Sequence, residues 1–383
     1  MTTTTTAYLD EAVRRTGLSD FGPGDFEGPL ERLLQSVHDE SRLTELGRAA
    51  LDGNIVAHLV TRLKVEAWYA KAPEIDDEQL DDVVFIIGLP RTGSTVLGQL
   101  LSLNPETRYL RRWEAAEPCP PPDASVPDDP RIAQAEARIE HFERLIPRYT
   151  EVLPHSGAND LEEDNILLEP SYVSPGWEAA FRCPSYIDWL LSDERNFTDG
   201  YRYHRRIVKL LQWRWPAKRW LLRAPTHTLS IDALHEAYPD ARYVWTHRDP
   251  LAVLTSVSSL LAMVREAFVE NPEPAELGPI VTANWAQGTR RAMAFRSRVG
   301  ERRFFDVAHR EQLRDPSGIV RGVHDWLGWT TSPSFDDDVA RWREEKPRGV
   351  HAPDPASFGI DPNEVRARFA DYTERFADQL GRG

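Results

Sequence analysis

VVFIIGLPRTGSTVLGQLLSLNP, Val83 to Pro105, is the stretch on which the fold turns. Its first five residues, Val83 to Ile87, are continuously apolar and rich in β-branching. That pattern predicts a strand in the middle of a parallel sheet covered on both faces. The apolar residues after Ser94 predict a helix that follows directly. Between them lies GLPRTGST, Gly88 to Thr95. Its glycines permit close backbone approach, the N–H groups at the helix start converge on one spot, and Arg91, Thr92, Ser94 and Thr95 add charge and hydroxyl donors. The segment therefore reads as a strand, an anion-cradling loop and a helix built for the phosphate end of a nucleotide-like donor. A tight strand-to-helix turn without a ligand is the competing reading.

The loop resembles the nucleotide-triphosphate P-loop in its two glycines five apart and its closing Ser-Thr, but Ser94 stands where that pattern requires lysine. A kinase or ATPase needs that lysine on the outer phosphates, so its loss undercuts phosphoryl transfer from ATP. The anion site survives the loss.

Outward from this unit, Leu30, Leu33, Leu34 and Val37, then Leu51, Ile55, Leu59 and Leu63, carry helical spacing and predict two or three packed helices between Asp20 and Lys71. CPPPDASVPDDP interrupts the chain after the loop's helix, and Arg131 to Pro216 reads as mostly helical. Two further strand-to-helix units follow, with strands at Trp220 to Arg223 and Arg242 to Thr246. Asp249 is placed to cap the second helix, with Pro250 at its first position. Arg303 to Val307 reads as a late strand, and Val365, Phe369, Tyr372 and Phe376 as a terminal amphipathic helix. The expected architecture is α/β: a P-loop-NTPase-like, mostly parallel sheet flanked by helices, with N-terminal helices and a helical insertion. One domain is expected over 1–383, with an N-terminal helical segment at 1–80, an α/β core at 81–115 and 217–383, and an insertion over the site at 116–216.

A chain of 383 residues, 41% apolar, can build a sizeable core, so disorder is excluded as its main state. Its formal charge of −15 argues against a nucleic-acid surface or a polybasic membrane anchor, so any anion site must be local. Cys119 and Cys183 offer neither a disulfide framework nor metal spacing, which suits a reducing compartment. The N-terminus lacks a signal-peptide core and no later stretch is expected to span a bilayer. The expectation is a cytoplasmic protein that binds no nucleic acid.

A second signature is YVWTHRDPLAVLTSVSSL, Tyr243 to Leu260, in which Arg248 closes a strand and Ser256 follows eight residues on, about two helical turns away. Together with PRTGST it resembles the sulfotransferases that use 3′-phosphoadenosine 5′-phosphosulfate, in their bacterial branch. The resemblance implies that Pro90, Arg91, Thr92, Gly93, Ser94 and Thr95 hold the 5′-phosphosulfate, Arg91 replacing the kinase lysine, and that Arg248 and Ser256 clamp the 3′-phosphate. WLLRAPTHTLSIDALHEAYPDAR extends the likeness, with Arg223 in place of the family's usual lysine and His227 in its usual place. KPRGVHAPDPASFG resembles the closing segment and implies a role for Arg348 and Gly349, with Lys346 and His351 nearby. The product would be adenosine 3′,5′-bisphosphate, with no metal required.

Sulfuryl transfer needs a base on the acceptor and positive charge on the leaving phosphate. Arg91 suits the leaving oxygens, with Arg223 or His227 sharing that work. For the base the resemblance points to Glu114 in RRWEAAEP, with Glu117 its nearest rival, and second to Glu163 in the acidic run Asp160, Glu162, Glu163, Asp164. Surface pairing with Arg111 and Arg112, or a solvated charge run, are the plainer readings of these acids. His204 and His155 rank lower.

Trp177, Trp189, Trp213, Trp215 and Trp220 hint at an apolar acceptor pocket, although such residues more often fill cores. The expected acceptor is a small molecule such as a lipid, glycolipid or aromatic natural product, and the expected assembly a monomer or homodimer. The rival functions are an ATP- or GTP-dependent kinase or NTPase, and a nucleotide-binding protein without chemistry.

Overall fold

A computed structural model describes residues 4–146, 148–149, 156–192, 197–345 and 353–382. Five strands form one parallel sheet: β1 (Val83–Gly88), β2 (Thr107–Tyr109), β3 (Arg219–Arg223), β4 (Arg242–His247) and β5 (Phe304–Ala308), in the order β2-β3-β1-β4-β5. β1 is central, with Phe85 opposite both Leu222 and Tyr243. From β1 the chain goes out to the edge at β2, returns as β3 beside β1 and then crosses to β4 and β5 on the other side, so the crevice where ligands bind in such sheets opens at the carboxyl ends of β1, β3 and β4.

The period of two decides the layers. Val83, Phe85 and Ile87 point into the larger core with Trp220, Leu222, Tyr243 and Trp245, whereas Val84 and Ile86 point into the smaller one with Leu221, Val244 and Val307. Both faces of β1 are therefore covered, which is why its sequence is continuously apolar. The smaller core is closed by the helices Ser94–Leu101 and Pro316–Leu327.

The N-terminal helices Glu27–Glu40 and Glu45–Lys71 pack on the larger core through Leu30, Leu33, Ile55, Leu59 and Leu63. Gly47 sets the approach: a Cβ there would stand 2.0 Å from the Phe268 carbonyl oxygen. An additional helix, Thr5–Thr16, is capped by Thr4 and precedes them. Three other details differ from expectation. β2 is too short to leave a pattern in sequence, and the terminal helix is three short ones, Pro362–Arg368, Ala370–Arg375 and Ala377–Leu380, broken at Phe369 and Phe376. The helix Pro250–Phe268 is long and apolar enough to cross a membrane, contrary to the expectation that no stretch is. It is packed within the fold, with 61% of its apolar window buried.

Candidate active site

The loop after β1 is held by its neighbours. Gly88 (φ 131°) exchanges two 3.0 Å hydrogen bonds with the Thr228 hydroxyl, and a Cβ on it would meet the Thr246 carbonyl oxygen at 2.5 Å. Thr92 is buried; its hydroxyl donates to the Leu89 carbonyl (2.7 Å) and lies 2.6 Å from the Thr246 hydroxyl. Gly93 (φ 88°) opens the helix Ser94–Leu101, and its carbonyl accepts from the Gln312 amide (3.0 Å). Pro90 and Ser94 are buried and Thr95 is exposed at the helix start.

Arg91 adopts φ 61°, a left-handed conformation that costs a non-glycine residue about 1–2 kcal/mol. Two contacts hold it: Arg248 Nη1 donates to the Arg91 carbonyl (2.8 Å), and Arg91 Nε donates to Ser256 Oγ (3.1 Å). The two signatures thus meet at one point at the ends of β1 and β4. Burial, and then the Arg248 charge, draw Arg91 below its ordinary pKa. An anion between the two guanidiniums would relieve both.

The acidic run is drawn inward, not solvated. Arg111 and Leu161 form an antiparallel bridge, the Glu162 N–H donates to the Leu110 carbonyl (2.8 Å), and Arg112 Nε pairs with Glu162 (2.9 Å). The next residue, Glu163, keeps 38% of its side chain exposed and pairs with Arg223 Nη1 at 2.7 Å. Arg223 is buried at the end of β3, its stem against Gly98 of the loop's helix, where a Cβ would stand 3.3 Å from Arg223 Cδ. Its Nε has no hydrogen-bond partner among the described residues. A buried guanidinium N–H without a partner, at the end of a central strand, is a donor that an oxygen of a phosphosulfate could satisfy.

Asp164 is wholly buried and accepts from the Arg223 N–H (2.6 Å), His204 Nε2 (2.9 Å) and His227 Nε2 (2.8 Å). Burial alone would raise its pKa, but the two histidines hold it well below the carboxylate range.

Two expected catalytic residues are enclosed. Glu114 has 0% of its side chain exposed, accepts two bonds from Arg108 (2.7 and 3.3 Å), and takes the Arg111 N–H (3.1 Å) as a helix capping box. Those contacts make it a buried structural anion and leave it no opening to an acceptor. Glu117 pairs with Lys64 at 3.0 Å. His227 is fully buried with both nitrogens engaged, Nε2 by Asp164 and Nδ1 by the Tyr201 hydroxyl at 2.9 Å. Arg348 and Gly349, with Lys346, His351 and His155, lie outside the described residues. Nothing local in the sequence distinguishes Asp164 from its neighbour Glu163; what packs over each does.

Beside Ser256, the same helix carries Leu260 and Met263, which pack with Phe142, Ile146 and Tyr149 as an apolar wall. Burial, and then the Glu162 charge, push the Tyr149 phenol up to about 12. The tryptophans do not line it: Trp177 and Trp220 are core residues, and Arg111 and Arg214 stack on Trp215 and Trp213. Among the described residues no group of three or more His, Cys, Asp or Glu is arranged to hold a metal ion.

Residues 82–333 match the model of the Sulfotransferase family. The omega-hydroxy-beta-dihydromenaquinone-9 sulfotransferases Stf3 of Mycobacterium bovis and Mycobacterium tuberculosis are 25% identical over 256 residues, 65% of this chain and 63% of theirs. The chain thus spans less than two thirds of those relatives' length. Among solved structures, sulfotransferase STF9 from Mycobacterium avium superposes with a TM-score of 0.90 at 26% identity, covering 98% of this chain and 97% of that one. Sulfotransferase STF1 from Mycobacterium tuberculosis gives 0.86 at 30% identity, covering 97% and 99%.

Proposed function

The chain belongs to the sulfotransferase family, and from that premise we propose that it moves a sulfuryl group from 3′-phosphoadenosine 5′-phosphosulfate to a hydroxyl or amine of a small acceptor, acting as a single domain. The observation that carries this reading is the knot of Arg91, Ser256 and Arg248, which joins the two expected phosphate sites at the ends of adjacent central strands. Pro90 to Thr95 and Arg223 would hold the 5′-phosphosulfate, Arg248 and Ser256 the 3′-phosphate. For Arg348 and Gly349, outside the described residues, a role at the same phosphate rests on the sequence resemblance alone.

The donor supplies an activated sulfur–oxygen bond. Glu163 takes the acceptor's proton, the acceptor oxygen or nitrogen bonds to sulfur, and the bond from sulfur to the 5′-phosphate oxygen breaks. Arg91 and Arg223 stabilise the charge left on that phosphate. Glu163 suits the base better than Glu114 or His227 because its carboxylate is partly exposed beside Arg223, whereas the other two are enclosed.

An apolar, lipid-like alcohol is the acceptor class we favour. The wall of Phe142, Ile146, Leu260 and Met263 next to Ser256 supports it. So does the likeness to Stf3, whose name gives a hydroxylated menaquinone as its acceptor. Two buried, unpaired cysteines agree with a reducing, cytoplasmic setting.

Calorimetry with adenosine 3′,5′-bisphosphate and with Mg·ATP tests the reading. Tight binding of the bisphosphate is expected. Binding of Mg·ATP alone would replace this function with an NTP-dependent one.

A further inference from the structure

Asp164 is a fully buried carboxylate that the transfer chemistry above does not use. A buried anion is costly unless its lone pairs are filled, and here three N–H groups fill them. Oδ1 takes the Arg223 backbone N–H, and Oδ2 takes Nε2–H from both His204 and His227. The far nitrogens of the two rings are held in turn: His204 Nδ1 by the Tyr238 hydroxyl (2.8 Å) and His227 Nδ1 by the Tyr201 hydroxyl (2.9 Å), which also meets Ser230 Oγ (3.0 Å). Both rings thus carry a proton on Nε2, while each Nδ1 meets a hydroxyl that can donate or accept. Burial keeps His204 below its ordinary pKa, which favours its neutral form with Nδ1 accepting from Tyr238.

The network does more than fill a core, because its two outlets lead to the site. Asp164 grips the backbone of Arg223, while the next residue in the chain, Glu163, grips the same residue's guanidinium. Arg223 is thus held at both ends by two consecutive carboxylates. Its Nε is buried and has no hydrogen-bond partner among the described residues.

We propose that Asp164 is the positioning residue of this site: its buried carboxylate locks the end of β3 to the 163–164 peptide and so sets the spacing between Arg223 and Glu163 on which transfer depends. The proposal rests on the sulfotransferase reading above. Reactive groups displaced by about 1 Å lose on the order of 100-fold in rate while ligand affinity, spread over many contacts, changes little.

The test uses the full chain, labelled phosphosulfate donor and a panel of long-chain alcohols and phenols. Asp164→Asn keeps the shape but offers its amide to two N–H donors that have lost their acceptor. Its turnover should fall about 10- to 100-fold while the Kd for adenosine 3′,5′-bisphosphate and the acceptor KM stay within about threefold. The downfield imidazole N–H resonances of His204 and His227 should be lost with it. Tyr238→Phe removes only an outer hydrogen bond and should lower turnover less, with the same split; it decides the matter if Asp164→Asn does not fold. Unchanged turnover in the folded variant, or turnover and bisphosphate affinity falling in proportion, overturns the positioning role alone. A wild-type protein that does not bind the bisphosphate overturns the sulfotransferase reading and this role together.

Discussion

Replacing Arg248 with alanine removes two things at once: a guanidinium assigned to the donor's 3′-phosphate, and the 2.8 Å hydrogen bond that holds the Arg91 carbonyl. A hydrogen bond between charged partners is worth about 1.5–3 kcal/mol net. Arg91 sits at φ 61°, and without its brace it can recover about 1 kcal/mol by leaving that conformation, which removes it from the phosphosulfate. The sum, about 2.5–4 kcal/mol, corresponds to a loss in bisphosphate affinity of roughly 60- to 800-fold. Calorimetry on two ligands separates the two parts. Adenosine 5′-phosphate lacks the 3′-phosphate, so for it only the loop term applies and the loss should be about tenfold or less. Arg248→Ala should therefore nearly abolish the wild-type preference for the bisphosphate. A variant that binds the bisphosphate within threefold of wild type, or that loses equally on both ligands, would refute the clamp.

Glu163→Gln should cut turnover at least about 100-fold and leave bisphosphate binding intact or tighter, since Arg223 loses a competing carboxylate; normal turnover would retire Glu163 as the base. Glu114→Gln leaves the buried Arg108 without its counter-charge and should cost on the order of 3 kcal/mol, seen as a lower denaturant midpoint; a stable variant with lost turnover would return Glu114 to the chemistry. His204 and His247 are held below the ordinary imidazole value, burial being the main cause. The unfolded chain therefore takes up their protons first, and the stability these neutral rings allow is complete above about pH 6.5 and lost as pH falls through the folded values. Melting temperature should drop on going from pH 7.5 to 5, and a flat profile would contradict the lowered values of these two rings.

Several elements were legible because their information is local. β1 is written in five apolar residues, the turn at Asp249-Pro250 in a cap whose carboxylate accepts the Ala252 N–H (3.1 Å), and the N-terminal helices in apolar spacing. The loop and the second signature could be paired because each has a fixed offset from a strand end. β2 and the breaks in the terminal helices left no such mark. Neither did the choice among acids: Glu114, Glu163 and Asp164 are all carboxylates in charged surroundings, and sequence ranks them only by resemblance.

The sequence by itself determined the parallel sheet, the strand-loop-helix unit around Gly88 to Thr95 and the family, since strand pattern, glycine freedom and hydroxyl and guanidine donors act over a few residues. Only the tertiary structure decided which acids are available. The bridge between Arg111 and Leu161 carries residues 163 and 164 to the end of β3, where one carboxylate is sealed under two histidines and its neighbour is left partly in water. Burial is a property of the whole packing. It sorts identical functional groups into structural anions and candidate bases by what closes over them.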